Sequence, residues 1–174
     1  MGYYKYIVRH VHKDLLFIAR RILIAFILFT TGFVSSAQSK QILNFDELMQ
    51  SLNSGEKVRV VMHYAQCKLF IDNKEQSSAP DAVSGMEINT YEYFAPGAAR
   101  NKLAFVVFSD SKLISNPKGK GYVYNYGKVR INSDNSVKIT ARYLNPKNFK
   151  VLMDEYFESE INDGKNNGGV YLYK

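Results

Sequence analysis

The sequence predicts a mainly β fold, in which one antiparallel meander closes into a barrel-like or strongly curved sheet and one N-terminal amphipathic helix precedes it. Two observations predict this fold. From Lys57 onward, apolar and polar residues alternate with a period of two, in runs separated by turn-forming residues. Gaps as short as residues 133–135 join only antiparallel strands, because a parallel crossover needs about a dozen residues or more. A β-sandwich is the alternative, since periodicity does not choose between the two closures.

The first 37 residues have the order of a secretory signal peptide. Five basic residues and one acidic residue give this segment a net charge of 5 − 1 = +4, and an apolar run follows over residues 22–29. Small residues at Ser35 and Ala37 predict cleavage between Ala37 and Gln38. The apolar run is shorter than the roughly 20 residues of a membrane-spanning helix. We therefore expect an exported protein, periplasmic or extracellular, without a stable membrane span after cleavage.

The predicted mature segment, residues 38–174, is long enough for one domain with a modest core. The whole chain carries a net charge of +7, so subtracting the +4 of the leader leaves +3 on this segment. Most of the basic character therefore belongs to the leader. Together with export, this balance makes nucleic acid an unexpected partner. We expect a monomer.

A helix is predicted over residues 44–54. Asn44 is a suitable N-cap, Glu47 lies three residues later as the second member of a capping box, and Gly55 ends the helix. The apolar stripe of this helix consists of Leu48, Met49 and Leu52. A helix this short is not stable alone in water, so we expect the stripe to pack on a sheet.

Seven strands are predicted after the helix. They cover residues 57–70, 86–94, 102–113, 121–132, 136–144, 149–161 and 169–173. The third strand is apolar on both faces over residues 102–109, which predicts a central position covered on both sides.

One histidine and one cysteine remain in the predicted mature segment. A single cysteine excludes an intramolecular disulfide, and a single histidine excludes any zinc site built from two histidines. On a continuous strand, His63 and Cys67 would lie about 13 Å apart, beyond hydrogen-bond reach. We therefore expect Cys67 to be a free, buried, structural thiol, and we predict no catalytic residue.

Acidic residues offer a second route to catalysis, through paired carboxylates. The candidates are Glu87, Glu92, Asp154, Glu155, Glu158 and Glu160. Alternation places Glu155 on the opposite face of its strand from the other three acids of residues 154–160. Nothing predicts the hydrophobic pocket that raises the pKa of a catalytic acid. We interpret the cluster as a solvated face balanced by Lys138 and Arg142.

The glycine-rich and asparagine-rich segment 162–169 is predicted to be a hairpin loop. Only Asp163 is acidic there, and Lys165 would oppose a cation, so the segment does not match a calcium loop. No phosphate-binding glycine motif precedes a helix anywhere in the chain. We expect no metal and no cofactor.

Tyrosine is the most unusual component, and ten of the thirteen tyrosines lie after residue 37. Alternation along one strand places five side chains on one face: Tyr122, Tyr124, Tyr126, Lys128 and Arg130. Aromatic rings with cationic ends are typical of a platform that holds a sugar chain, a peptide or a single nucleic-acid strand. The alternative is a cross-strand aromatic ladder that stabilises the sheet. Tyr91 and Tyr93 are predicted as cross-strand partners of these residues.

Several segments together resemble the VirK family of small exported bacterial proteins. The resemblance begins with residues 45–55 and continues through the run 58–68, which contains Cys67. The order of the next segments, 85–88, 104–109 and the tyrosine-rich strand, is also similar to that family. The resemblance implies an envelope or secreted setting and an association with bacteria that live on hosts. It implies no established activity, substrate or catalytic residue.

We expect a non-enzymatic binding or interaction protein for an apolar ligand, a glycan or a protein partner. The aromatic and cationic face and the small catalytic inventory favour this interpretation. A small hydrolase that uses acidic residues or Cys67 is one alternative. An inhibitor or host-directed effector is another, and it differs from the first hypothesis only in its partner.

Overall fold

The computed structural model of this protein describes residues 39–174, so the predicted signal peptide and its cleavage site lie outside the described residues. The elements are β1 (Gln41–Ile42), α1 (Phe45–Asn53), β2 (Arg59–His63), a 3₁₀ turn (Tyr64–Gln66), β3 (Lys68–Ile71), β4 (Lys74–Glu75), β5 (Val83–Glu87), β6 (Glu92–Phe94), β7 (Phe105–Ser115), β8 (Tyr122–Asn132), β9 (Ser136–Leu144), β10 (Val151–Glu160) and β11 (Val170–Tyr173).

The predicted helix is confirmed, together with its capping. The side chain of Asn44 accepts a hydrogen bond from the backbone N–H of Glu47 at 2.9 Å, and the Glu47 carboxylate accepts one from the backbone N–H of Leu43 at 3.1 Å. Gly55 follows the helix with a φ of +75°, a conformation that favours glycine at a helix end. Within residues 39–174, no helix is long and apolar enough to cross a membrane.

The strands form two antiparallel sheets, which confirms the mainly β, antiparallel prediction. One sheet has four strands in the order β1-β11-β2-β5, and the other has seven in the order β4-β3-β10-β9-β8-β7-β6. Strands β6 to β10 are a meander, because each pairs with the next along the chain. The prediction that all strands form a single meander was wrong. Residues 39–174 form no closed barrel.

Two predicted strands are each divided between the two sheets. The run 57–70 is interrupted by the 3₁₀ turn, so β2 joins the four-stranded sheet and β3 joins the seven-stranded one. At this turn, the ring of Tyr64 packs against Phe157 of β10 with 4.5 Å between centroids. The run 86–94 divides in the same way into β5 and β6. Both breaks contain apolar residues, so a search for period-two alternation does not detect them.

Both sheets and the helix contribute to one hydrophobic core. Its fully buried members include Leu48 of α1, Met62 of β2, Ile139 of β9 and Leu172 of β11. The sheets also approach each other closely at Gly127 of β8, where an added Cβ would lie 3.2 Å from the terminal methyl of Met86. Two sheets around a shared core are closer to the sandwich alternative than to a single meander.

The prediction that residues 102–109 are covered on both faces by helix or sheet was wrong on one face. Val106 and Phe108 point into the shared core. On the other face, Phe105 is buried by two side chains instead. The guanidinium of Arg130 lies 3.7 Å from the centroid of its ring, and the ring of Phe94 stacks on it at 4.7 Å.

We predict that Gly169→Ala lowers the free energy of unfolding by about 1–3 kcal/mol, because there is no room for a methyl group. A Cβ at this position would lie 2.8 Å from both the Cys67 sulfur and the His63 carbonyl oxygen. Urea unfolding monitored by circular dichroism measures the change. Gly119→Ala is the control, since its Cβ meets only the side chain of Asn116, at 3.3 Å. Equal stability of the two variants would contradict the packing described here.

Candidate functional site

The five residues of the predicted aromatic and cationic face do share one face of the seven-stranded sheet. The outer-face stripe consists of Tyr122, Tyr124, Tyr126, Lys128 and Arg130, all on β8. The residues that alternate with them include Val123, Val129 and Ile131, which are at most 1% exposed. The period-two prediction is therefore confirmed for this strand, and the stripe points away from the buried side of the sheet.

Neighbouring strands extend the stripe into a wider surface. On one flank, Tyr126 lies opposite Arg142 of β9, and Arg130 lies opposite Lys138. On the other flank, β7 contributes Ser109 and Ser111. Residues directly opposite each other on paired strands share a face, and no outward-facing residue of β7, β8 or β9 is acidic. The central part of this face is thus aromatic, hydroxylated and cationic.

The members of the stripe differ in how free they are to contact a ligand. Tyr122 is 64% exposed, whereas Tyr124 and Tyr126 are half-buried. Lys128 is exposed and forms no ion pair with any described residue. Arg130 is held in place, since it covers Phe105 and its Nε donates a 2.9 Å hydrogen bond to the Asn132 side chain.

Tyr91 and Tyr93 are not cross-strand partners of the tyrosines of the stripe. Strand β6 pairs with the opposite end of β7, where Tyr93 faces Val106. Val106 points into the core, so Tyr93 belongs to the other face of the sheet. Tyr91 packs against the core. The prediction failed because it needed the strand register, which periodicity does not supply.

The acidic cluster of β10 has basic partners. The guanidinium of Arg142 donates two hydrogen bonds to the Asp154 carboxylate, at 2.9 and 3.1 Å. Glu158 lies opposite Lys138, whose ammonium is 3.6 Å from the centroid of the Tyr156 ring. The balance with Lys138 and Arg142 is therefore found in the structure. Both oxygens of the Asp154 carboxylate are therefore engaged by Arg142.

The prediction that Glu155 lies on the other face of β10 from the remaining acids is also confirmed. Glu155 lies in register with Ala141 and Ile71, between the outward-facing rows of Asp154 and Tyr156. Its carboxylate is 3.6 Å from the ammonium of Lys118 in the loop between β7 and β8. The acids of β10 are consequently divided between two faces and do not form a carboxylate pair across one cleft.

The predicted 13 Å separation of His63 and Cys67 was wrong, because the 3₁₀ turn folds the chain back between them. The Cys67 sulfur lies 3.3 Å from the backbone carbonyl oxygen of His63, to which the thiol donates. The imidazole ring instead meets the ring of Tyr171 edge-on, with 5.0 Å between centroids. Burial raises the pKa of the Cys67 thiol, against a smaller opposing effect of the Ser159 hydroxyl. The thiol is thus held in its unreactive protonated form.

The segment 162–169 connects β10 of one sheet to β11 of the other, so the prediction of a hairpin loop was wrong. Asp163 caps this segment itself, by accepting hydrogen bonds from the backbone N–H groups of Lys165 and Asn166 at 2.8 and 2.9 Å. These bonds lower the pKa of Asp163. No group of three or more potential metal ligands occurs in the described part of the chain.

A cleft of about 660 Å³ lies between β2, β5 and β7. Its lining includes Arg59 and Glu87, which form an ion pair at 3.0 Å, and Asp110 and Lys112, which are 3.3 Å apart. These charges are paired with each other and exposed. Val61, Val83 and Met86 also line the cleft, so its lining is mixed and not mostly apolar as in typical pockets for small apolar ligands.

Part of this surface was not predicted from the sequence. Lys138 and Arg142 were interpreted only as partners of the acids. Both residues lie on the same face of β9, and the short turn between β8 and β9 places them beside the stripe. Phe149 was placed in a strand, but it lies in the β9–β10 loop, with 6.1 Å between its ring centroid and that of Tyr124. The Asn145-Pro146 turn signal was the available clue to that loop.

We predict that Cys67 in the native protein reacts with iodoacetamide at pH 8 more than about tenfold slower than in urea, because the thiol is buried and its pKa is raised. Mass spectrometry of samples quenched over time measures the rate. Since the chain has one cysteine, every added mass reports this site. Equal rates in the native and unfolded states would contradict the buried geometry.

Comparisons with known proteins place this fold and sequence in a family. The family model described as VirK protein matches residues 41–149. A crystal structure of a VirK family protein from Legionella pneumophila is similar in fold, with a TM-score of 0.58 and 15% identity over 77% of this chain and 98% of that one. No curated protein matches the chain significantly. Because the family model covers more than half of the sequence, the chain belongs to the VirK family.

Proposed function

We propose that this protein is an exported, non-enzymatic binding protein that holds an anionic glycan chain along the outer-face stripe. The observation that carries the proposal is the continuous aromatic and cationic surface of β8 and β9, which faces away from the core. Signal-peptide features of the first 37 residues support the exported setting.

The shape of the stripe favours an elongated ligand. At about 3.3 Å per residue, the eight steps from Tyr122 to Arg130 extend over roughly 27 Å. Aromatic rings occupy one half of this length and basic groups the other half. A chain of several sugar rings is long enough to contact both halves, with apolar sugar faces on the tyrosines.

The charge of the surface favours an anionic ligand. Two of its cations already have partners, since Arg142 is bound to Asp154 and Lys138 lies over the Tyr156 ring. Lys128 is exposed and has no such partner among residues 39–174, and it lies next to the hydroxyl groups of Ser109 and Thr140 in the same row. A carboxylate or sulfate of a glycan would receive a charge-assisted hydrogen bond there.

The cysteine and several carboxyl groups weigh against the hydrolase alternative. The Cys67 thiol is buried, and its hydrogen bond goes to a backbone carbonyl. Hydrogen bonds lower the carboxyl pKa values of Glu56, Asp134 and Asp163. A general acid needs a raised pKa. The protein-partner and effector alternatives would use the same face, and ligand-binding measurements separate them from the glycan proposal.

For export, we predict that the chain recovered from the producing bacterium begins at Gln38. The basic, apolar and small-residue order of the leader is the physical reason. Intact-mass measurement of the protein from cell envelope and culture fractions reports the N-terminus. Full-length protein found only inside the cell would contradict the prediction. Ala37→Pro, which blocks cleavage, is the control.

For binding, we predict that Tyr126→Ala and Lys128→Gln each raise the Kd for an anionic glycan by up to about tenfold. Titration calorimetry with alginate and heparin oligosaccharides measures the Kd, and neutral dextran tests the charge requirement. Tyr93→Ala is the matched control, because Tyr93 is 49% exposed but lies on the other face. Failure of both anionic glycans to bind, or an equal loss in Tyr93→Ala, would contradict the proposal.

A further inference from the structure

Exposed apolar side chains are concentrated at one end of the seven-stranded sheet. Within residues 39–174, ten large apolar side chains are exposed, and five of them lie at this end. We name these five the apolar tip: Leu113 (54% exposed), Tyr122 (64%), Phe149 (65%), Val151 (45%) and Leu152 (51%). None of them lines the cleft between β2, β5 and β7. A group of exposed apolar side chains marks an interaction surface more often than scattered ones do.

Strand register shows that the tip is contiguous. Leu113, Tyr124, Leu144 and Val151 lie opposite one another across β7, β8, β9 and β10, in a single row. Phe149 stacks on Tyr124 in that row. The tip is therefore one surface drawn from three strands and the β9–β10 loop.

The backbone holds two of these side chains in the solvent by irregular geometry. Phe149 has a φ of +56°, in the left-handed region that bulky residues rarely adopt. Its N–H donates a 2.8 Å hydrogen bond to the Asn145 carbonyl, and the N–H of Asn145 donates a 2.9 Å bond to the Lys150 carbonyl. A register shift between Val151 and Met153 leaves Leu152 unpaired in a bulge. Asparagine would fit the φ of residue 149 better, so folding alone does not account for an exposed phenylalanine there.

The two chain segments that form the apolar tip are basic. The segments 111–124 and 144–153 contain five lysines and no aspartate or glutamate. The five are Lys112, Lys118, Lys120, Lys147 and Lys150. Lys112 and Lys118 pair with acids outside these segments, at 3.3 and 3.6 Å. Among the described residues, the other three form no ion pair.

We propose that the apolar tip and its lysines dock the protein on a membrane leaflet that contains anionic phospholipid. Phenylalanine, tyrosine and leucine side chains enter the boundary between headgroups and acyl chains, where aromatic rings are favoured. Unpaired lysines at the rim attract the lipid phosphates. A membrane fits both parts of this surface at once, whereas a neutral apolar partner would leave the lysines without a function. This inference does not depend on glycan binding by the stripe.

Vesicle sedimentation tests the docking with the segment from Gln38 to Lys174, since residues 39–174 form a compact unit with their own core. The vesicles contain phosphatidylcholine alone or an equal mixture with phosphatidylglycerol. We expect binding to the mixed vesicles and little to phosphatidylcholine alone. Phe149→Asn with Leu152→Ser should lower the partition coefficient about tenfold or more. Lys147→Gln with Lys150→Gln should lower it about twenty-five-fold, or roughly fivefold per charge.

Matched controls separate docking from general effects of the substitutions. Val83→Ser with Leu103→Ser removes two exposed apolar side chains outside the tip. Lys57→Gln with Lys165→Gln removes the same charge elsewhere on the surface. Both controls should bind the mixed vesicles like the wild type. Phe149→Asn suits the local backbone, so its loss of binding would not reflect unfolding, and circular dichroism checks this.

A tryptophan reporter tests whether the tip enters the bilayer. The chain contains no tryptophan, so Phe149→Trp provides a single probe whose emission should shift to the blue on mixed vesicles and be quenched by brominated lipid. Wild-type protein that stays in the supernatant, equal losses in tip and control variants, or an unshifted emission would overturn the proposal. Conversion of a dimer to a monomer by the tip variant would also overturn it, by assigning the tip to a second copy of this chain.

Discussion

The outer surface of this protein depends on one constraint: a seven-stranded sheet with alternating side chains is covered by the rest of the fold on one face only. On β8, Val129 and Ile131 are fixed in the core, and the residues between them must therefore face outward. A slip by one residue would move the apolar set to solvent and the tyrosines into the core. The position of the stripe is thus set by burial on the opposite face, and no separate interaction is needed to hold it there.

The shared core in turn requires the chain to cross from one sheet to the other, and one of these crossings is tightly packed. Cys67 and Gly169 meet where β2 leads into the 3₁₀ turn and where the segment before β11 returns. The thiol donates to the His63 carbonyl, and Gly169 accepts a hydrogen bond from the His63 N–H at 2.8 Å. Cys67 acts here as a small apolar residue that fits beside a glycine. Packing alone therefore explains a cysteine at this position, without any chemistry at sulfur.

Local features of the fold were predictable from the sequence, and features that depend on distant partners were not. The capping of the helix by Asn44 and the alternation on β8 follow from residues near each other in the chain. The break at Tyr64 depends on Phe157, more than ninety residues away, and the break itself contains apolar residues. The stripe was found because its members lie on one strand, whereas its extension to Lys138 and Arg142 needed the register of β8 with β9. Tyr93 was misplaced for the same reason.

The stripe and the apolar tip meet at Tyr122 and Tyr124, and their energetic characters differ. The outward-facing residues of the stripe reduce the stability of the fold little, because charged and aromatic side chains are common on a solvated strand face. The tip destabilises the fold in two respects. It leaves Phe149 and Leu152 in water. It also holds Phe149 at a positive φ, which costs a non-glycine residue about 1–3 kcal/mol of strain. Selection for stability alone would replace both residues. Their presence in this sequence is physically reasonable where contact with a partner removes them from water, and that contact would also place the adjoining stripe next to the same surface.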